Sequence, residues 1–178
     1  MIVAHVAVTT VSDYLARRDA YRQAHIERLV ALRERGVVIA GGPAPDGRSA
    51  DIFYRVRQAA ELAPLVEEDP YHRGEVWTAY TSRSFSQFVE PWEAPPVVID
   101  GSRCVTIVEG ATADPDTAQL ALVELRGAGR LVFGGLFDEK ETLAVLRSSD
   151  AAEAVAWLAE TGFWTAPHLT ARPLLHVL

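Results

Sequence analysis

The chain has 178 residues, 49% hydrophobic and 23% charged, a globular composition that excludes a disordered or fibrous protein and leaves one ordinary domain or two small ones. Seventeen basic residues against 24 acidic ones give a net charge of -7. That balance repels phosphate backbones and argues against a nucleic-acid partner.

Ile2 to Thr9, rich in valine and weakly alternating, predicts a first strand. Ser12 is placed to cap a helix, and from Asp13 to Arg35 the residues Tyr14, Tyr21, His25, Leu29 and Leu32 recur at helical spacing on one face. Gly36 then serves as the C-cap glycine. Val37 to Ala40 predicts a short strand, Gly41 to Gly47 a loop dense in turn formers, and Ile52 to Val56 the hairpin partner. Gln58 to Glu68 predicts a second helix with Pro64 as a defect in it. Glu75 to Thr81 predicts a fourth strand, so the order is β-α-β-β-α-β.

Three prolines within Glu90 to Pro96 mark a linker. Beyond it the same order recurs, with strands at Cys104 to Val108, Leu131 to Phe133, Leu143 to Leu146 and Leu169 to Val177. Helices are predicted over Pro115 to Ala128 and Ala151 to Thr161. Residues recur as well. At an offset of 93, Leu29-Val30, Leu32-Arg33, Gly36 and Gly41-Gly42 fall on Leu122-Val123, Leu125-Arg126, Gly129 and Gly134-Gly135. At an offset of 92, Arg55 and Ala59-Ala60-Glu61 fall on Arg147 and Ala151-Ala152-Glu153. The one-residue change sits in a hairpin loop, which tolerates it.

The expected architecture is therefore α+β, with one ferredoxin-like β-α-β-β-α-β unit over residues 1–92 and a second over 98–178. Two helices on one side of a four-stranded sheet leave the other face bare, and a second copy can cover it. The two units are expected to form a pseudo-dimeric α+β barrel within the chain, with pairing between chains in a homodimer as the other arrangement.

The lone Cys104 cannot form an intrachain disulfide and reads as a small buried hydrophobe. No apolar run reaches the ~18 residues of a membrane span, and Met1 to His5 does not open a signal peptide. A soluble, cytoplasmic protein without a membrane partner is expected. The almost exclusive use of arginine over lysine, with Lys140 the one exception, reads as codon bias in a G+C-rich bacterial genome.

Five histidines, at positions 5, 25, 72, 168 and 176, show no metal-binding spacing, so no metal is expected. No nucleophile elbow, P-loop or dinucleotide fingerprint is present, because Gly41-Gly42-Pro43 follows a strand but precedes a turn. His25 shares a helix face with Tyr21, Leu29 and Leu32, which turns its ring toward the sheet. Asp69 stands at the end of the second helix, before a proline that enforces extended backbone. Two helices side by side on one sheet can bring these groups together. A carboxylate bonded to one imidazole nitrogen leaves the other as an acid or base near neutrality. The plainer alternatives are a half-buried helix histidine and an aspartate that starts a turn. Arg22 and Tyr71 could orient an anionic or phenolic substrate, while Trp77, Tyr80, Trp157 and Trp164 read as core or barrel lining.

Arg22-x-x-His25, the Leu29-x-x-Leu32 helix, the Gly36 cap, Gly41-Gly42-Pro43 and above all Asp69-Pro70-Tyr71 resemble the YCII (YciI-like) family over about residues 1 to 90. The resemblance implies a ferredoxin-like fold paired as a dimeric α+β barrel. It also implies an active-site pair at His25 and Asp69; no cofactor is expected, and Arg22, Gly42, Pro43, Tyr71 and Trp77 are the candidate contacts for a small-molecule substrate. Some relatives of that family are cofactor-free dehydrochlorinases or lyases on small hydroxylated rings. In the second copy Ala118 replaces His25, Thr161 replaces Asp69, and Gly162-Phe163 replace Pro70-Tyr71, and the first helix is expected to be shorter. The expected function is proton transfer by a His-Asp pair on a small carbonyl or hydroxyaromatic compound, of lyase, dehydratase or isomerase type. The alternative is a non-catalytic small-molecule-binding or regulatory module.

Overall fold

Alternation along β1 (Ile2–Thr10) sends Ala4, Val6 and Val8 into one apolar core and leaves Val3 and His5 on the opposite face, where both are also buried. In the computed structural model, which describes residues 1–138 and 140–178, β1 pairs antiparallel with both β3 (Ser49–Val56) and β4 (Trp77–Ser84). With β2 (Val38–Pro43) on the outer side of β3, the sheet order is β2-β3-β1-β4. Gly41 and Gly42 lie within β2 rather than in the turn expected for them. There a side chain at Gly41 would stand 2.9 Å from the Asp51 carbonyl oxygen, so the close approach of β3 explains the glycine.

The helices of this unit cover one face. The single helix expected from Asp13 to Arg35 is two, α1 (Tyr14–Arg18) and α2 (Arg22–Glu34). Ser12 caps neither; Asp13 is the N-cap of α1 and makes no side-chain cap bond. The break re-aims the chain, because Tyr14 is buried under the turn at Gly47 while Tyr21 lies over Gly74. Gly36 ends α2 with φ +72, the left-handed conformation that glycine adopts without penalty. After a short 3-10 turn at Ala59–Glu61 comes α3 (Leu62–Glu67). Pro64 falls in its first turn, where a missing N–H costs no helical bond, so the expected defect does not break the helix. A further one-turn helix, α4 (Pro70–Arg73), follows. Leu29, Leu32, Tyr54, Leu62, Val66, Tyr71 and Trp77 close the core.

This unit comprises Met1–Ser84, Pro95–Asp100 and His176–Leu178; the other comprises Phe85–Ala94 and Gly101–Leu175. In the other unit β6 (Cys104–Ala111) lies between β8 (Glu141–Leu146) and β9 (Thr170–Leu175), with β7 (Leu131–Leu136) beyond β8. A strand not expected from the sequence, β5 (Gln87–Val89), adds to β7, giving the order β5-β7-β8-β6-β9. Pro173 lies on the edge strand β9, where its missing donor is tolerated. His168 and His176 both lie outside β9, His168 in a 3-10 turn before it. The helices are α5 (Pro115–Gly127) and α6 (Ala151–Ala159).

Each unit has the strand order and helix placement of a ferredoxin-like fold, and the chain is of the α+β class. Both first long helices have 13 residues. The extra residues between Thr10 and His25 form α1, so the second unit's helix is not shortened. Cys104 is half-buried at the start of β6 rather than enclosed. Among the described residues no helix is long and apolar enough to cross a membrane.

Candidate acid-base site

Asp69 has extended backbone (φ -63, ψ 136) and is the N-cap of α4, with Pro70 at the first helical position. The Asp-Pro-Tyr sequence therefore has a local physical logic: the carboxylate accepts the Tyr71 N–H at 2.8 Å, and proline is preset for the first turn. The same oxygen, Asp69 Oδ1, lies 2.7 Å from His25 Nδ1. An ionised carboxylate only accepts, so Nδ1 carries the proton and donates it, which assigns the tautomer with a lone pair on Nε2. Asp69 is 0% exposed and the His25 side chain 12%.

Aromatic rings fix the imidazole. Tyr71 stacks on it with centroids 3.8 Å apart and planes 10° from parallel, and Trp77 meets it edge-on at 5.5 Å and 88°. Trp77 reaches this side through a β-bulge: the β1-β4 register passes from Thr9 opposite Ala79 to Thr10 opposite Trp77, skipping Thr78. Without that irregularity, period-two alternation would turn Trp77 to the other face. Behind Tyr71 stands Tyr14, edge-on at 6.3 Å. Burial pushes the Tyr71 hydroxyl far above its ordinary value, aided by Tyr14 and Asp69 and opposed by Arg18 and Arg22. Tyr71 is thus a neutral ring at any ordinary pH.

Of the residues singled out from the sequence, His25, Asp69, Tyr71 and Trp77 meet. Arg22 donates to the Ile99 carbonyl at 3.3 Å, which ties it to the backbone of Pro95–Asp100. Gly42 and Pro43 lie on β2, the edge strand opposite β4, and take no part in the ring cluster around His25. His72 lies in α4 and meets Tyr80 edge-on at 6.1 Å.

Sequence reasoning missed a second buried pair. His5 Nε2 donates to Asp51 Oδ1 at 2.6 Å, and the His5 ring stacks on Phe53 at 5.1 Å. Its only signal was one histidine in an apolar strand. In the second unit, at the places matched to His25 and Asp69, Ala118 is buried and Thr161 Oγ1 donates to the Leu158 carbonyl at 2.6 Å. No His-carboxylate pair stands there. Among the described residues no cluster of three or more His, Cys, Asp or Glu is placed to hold a metal.

No protein-family model matches the sequence, and no curated protein matches it. Solved structures do. A proposed monooxygenase from Lactobacillus acidophilus is similar over 99% of this chain and 94% of its own, at 9% identity and TM-score 0.60. A heme-binding protein from Thermus thermophilus is similar over 98% and 90%, at 12% identity and TM-score 0.54. A 5-chloro-2-hydroxyhydroquinone dehydrochlorinase from Burkholderia phenoliruptrix aligns with 51% of this chain and 93% of its own, at 18% identity and TM-score 0.40. At such identities the likeness of the first two is one of fold alone. The fold class is α+β, two ferredoxin-like units in one chain.

Proposed function

We propose that the chain is an enzyme in which His25, oriented by Asp69, moves a proton on a small carbonyl or hydroxyaromatic compound without a cofactor. One observation carries this reading: a fully buried carboxylate, held by the Tyr71 N–H, accepts from His25 Nδ1 at 2.7 Å and leaves Nε2 as the reactive nitrogen. In an elimination, Nε2 takes a proton from the acidic carbon or hydroxyl of the substrate, and the electron pair left behind forms the new double bond as the leaving group departs. Imidazolium then returns the proton to product or water. Asp69 stabilises the imidazolium without taking its proton. In an isomerisation the proton returns to a different carbon of the same molecule. Arg22, Tyr71 and Trp77 are proposed on the substrate side; Gly42 and Pro43, on the far edge strand β2, are not.

On this reading the chain is a YCII relative duplicated in tandem, as units 1–92 and 98–178. The first carries the chemistry and the second has lost the pair. Solvent-deuterium exchange tests it. Across a panel of small 1,2-dicarbonyl and hydroxylated aromatic compounds, wild-type protein should accelerate exchange into at least one, His25→Ala should abolish it and Asp69→Asn should sharply reduce it. Exchange undiminished in both variants would refute the acid-base role.

A second reading, ligand binding without turnover, draws on the tight Tyr71 stack and the low exposure of His25. It predicts ligand-induced thermal stabilisation with no exchange.

A further inference from the structure

The first unit also contains an open cleft of about 920 Å³, lined by none of His25, Asp69, Tyr71 and Trp77. It lies where α2 gives way to β2, beside the end of β3 and against α3. Val37, Val56 and Leu65 form its apolar side, and Arg35, Arg55 and Arg57 line it as well. Its two carboxylates are already engaged: Glu61 accepts the Arg57 N–H at 3.0 Å, and Glu68 faces Arg28 at 3.6 Å. Arg55 donates to the Gly36 carbonyl at 3.5 Å. The guanidinium groups of Arg35 and Arg57 make no hydrogen bond or ion pair among the described residues. In a chain of net charge -7, a cleft where two cations stand unpaired attracts anions.

In the second unit the corresponding place is closed. The two units align here through matched backbone bonds: Arg55 N–H donates to the Val37 carbonyl and Arg147 N–H to the Arg130 carbonyl, both at 2.7 Å. Likewise Glu68 and Glu160 end α3 and α6 by donating to the Pro64 and Ala156 carbonyls. Arg130, Trp157 and Glu160 therefore stand at the positions of Val37, Leu65 and Glu68. Arg130 lies over the Trp157 ring at 5.1 Å and reaches Glu160 at 3.4 Å, so a planar ring, a cation and a carboxylate fill that place from within. Val37 and Leu65 are too short and too apolar to do the same, and the cleft is what remains. Arg35 and Arg57 have no counterparts, since Ala128 and Ser149 stand at their positions. The first unit thus lacks the internal ring and gains two cations.

We propose that this cleft binds a small organic anion, a carboxylate or phosphate carried on an apolar or aromatic body. Arg35 and Arg57 hold the charged head, because the guanidinium fork matches the oxygens of either group. Val37, Val56 and Leu65 take the body, in the place that the Trp157 ring fills in the second unit. The volume lies within the ~300–1,000 Å³ of small-molecule sites. The site is separate from the acid-base pair and does not depend on it.

The test is calorimetric titration of the full chain with phenyl phosphate, benzoate and inorganic phosphate. At least one of the two organic anions should bind saturably and more tightly than inorganic phosphate, and the tighter of the two identifies the head group. Arg35→Gln and Arg57→Gln, both at exposed positions, should each weaken it ~10-fold or more, the range of a hydrogen bond to a charged group. Val37→Arg combined with Leu65→Trp, which copies the second unit's closure, should abolish it while the circular dichroism spectrum is retained. No saturable binding overturns the proposal. So do equal affinity for inorganic phosphate, affinity unmoved in both arginine variants, and binding that survives the closing substitutions. His25→Ala should bind the anion as wild type does; loss of binding there would place the anion at the acid-base pair and overturn a separate site. None of these readouts uses turnover, so a His25→Ala protein that still accelerates deuterium exchange would refute the acid-base reading and leave this site standing.

Discussion

The Tyr71 ring lies 3.8 Å from the His25 ring and 10° from parallel to it, so one side of the imidazole is closed by a neutral aromatic surface. The stack joins α2 to α4 and fixes the plane in which Nε2 lies. Tyr71→Ala opens a cavity between His25, Tyr14 and Trp77, and should cost about 3–5 kcal/mol in urea unfolding, the range for truncating a buried aromatic. Tyr71→Phe keeps the stack and should stay within about 1 kcal/mol of wild type. An equal loss in both would show that the hydroxyl, and not the ring, carries the contact.

Asp69 has two duties on one oxygen, accepting from His25 Nδ1 and from the Tyr71 N–H. Asp69→Ala removes both, and its loss as an N-cap alone should cost about 0.5–2 kcal/mol. Asp69→Asn separates the cap from the charge. The amide oxygen at the Oδ1 position still caps α4 and still accepts from His25 Nδ1, but the negative charge that stabilises an imidazolium is gone. Stability should fall less than in Asp69→Ala while deuterium exchange falls ~10²–10⁴-fold. Calorimetry and exchange on the same preparations would show whether cap and chemistry divide in this way.

Alkaline pH should weaken the fold through Tyr54 and Tyr71, whose hydroxyls burial holds well above the ordinary value of 10.0. The folded state keeps both protons while the unfolded chain releases them near that value. Below it these groups leave stability unchanged with pH. As pH rises above it the unfolded state binds fewer protons and stability falls, by up to ~1.4 kcal/mol per pH unit for each group. Urea midpoints from about pH 9 to about pH 11 should drop less steeply in Tyr54→Phe. Absorbance titration should show that two of the five tyrosines ionise only with unfolding.

The strand and helix order was legible because each element carries its own period and its own stop. Gly36 ends α2 with φ +72, as expected, whereas Asp69-Pro70, expected to close the second helix, opens α4 as its N-cap. The His25-Asp69 contact was legible as a possibility only, since two helix positions 44 apart meet through packing. What the sequence hid is set by tertiary geometry. The break between α1 and α2 follows no proline or glycine; it answers to where Tyr14 and Tyr21 must pack. Trp77 reaches His25 through a bulge that no residue type announces. His5 and Asp51, on neighbouring strands, carry no spacing signal at all.

The unexpected strand β5 explains the glycine at position 135. Gly135 pairs with Phe88 across β7 and β5, and a methyl group there would stand 2.5 Å from the Gln87 carbonyl oxygen and 2.6 Å from the Phe85 ring. The first obstacle is backbone, which cannot swing aside as a side-chain end can. Gly135→Ala should therefore push β5 off the sheet edge and cost about 1–3 kcal/mol, the range for overpacking. Gly129 offers the contrast: no atom lies within 4 Å of a methyl there, but its φ is +74, so Gly129→Ala should cost about 1 kcal/mol through backbone strain alone. Amide hydrogen exchange separates the two mechanisms. Gly135→Ala should expose the Gln87–Val89 amides selectively, whereas Gly129→Ala should lower protection evenly; protection retained at β5 in Gly135→Ala would show that the strand yields without leaving.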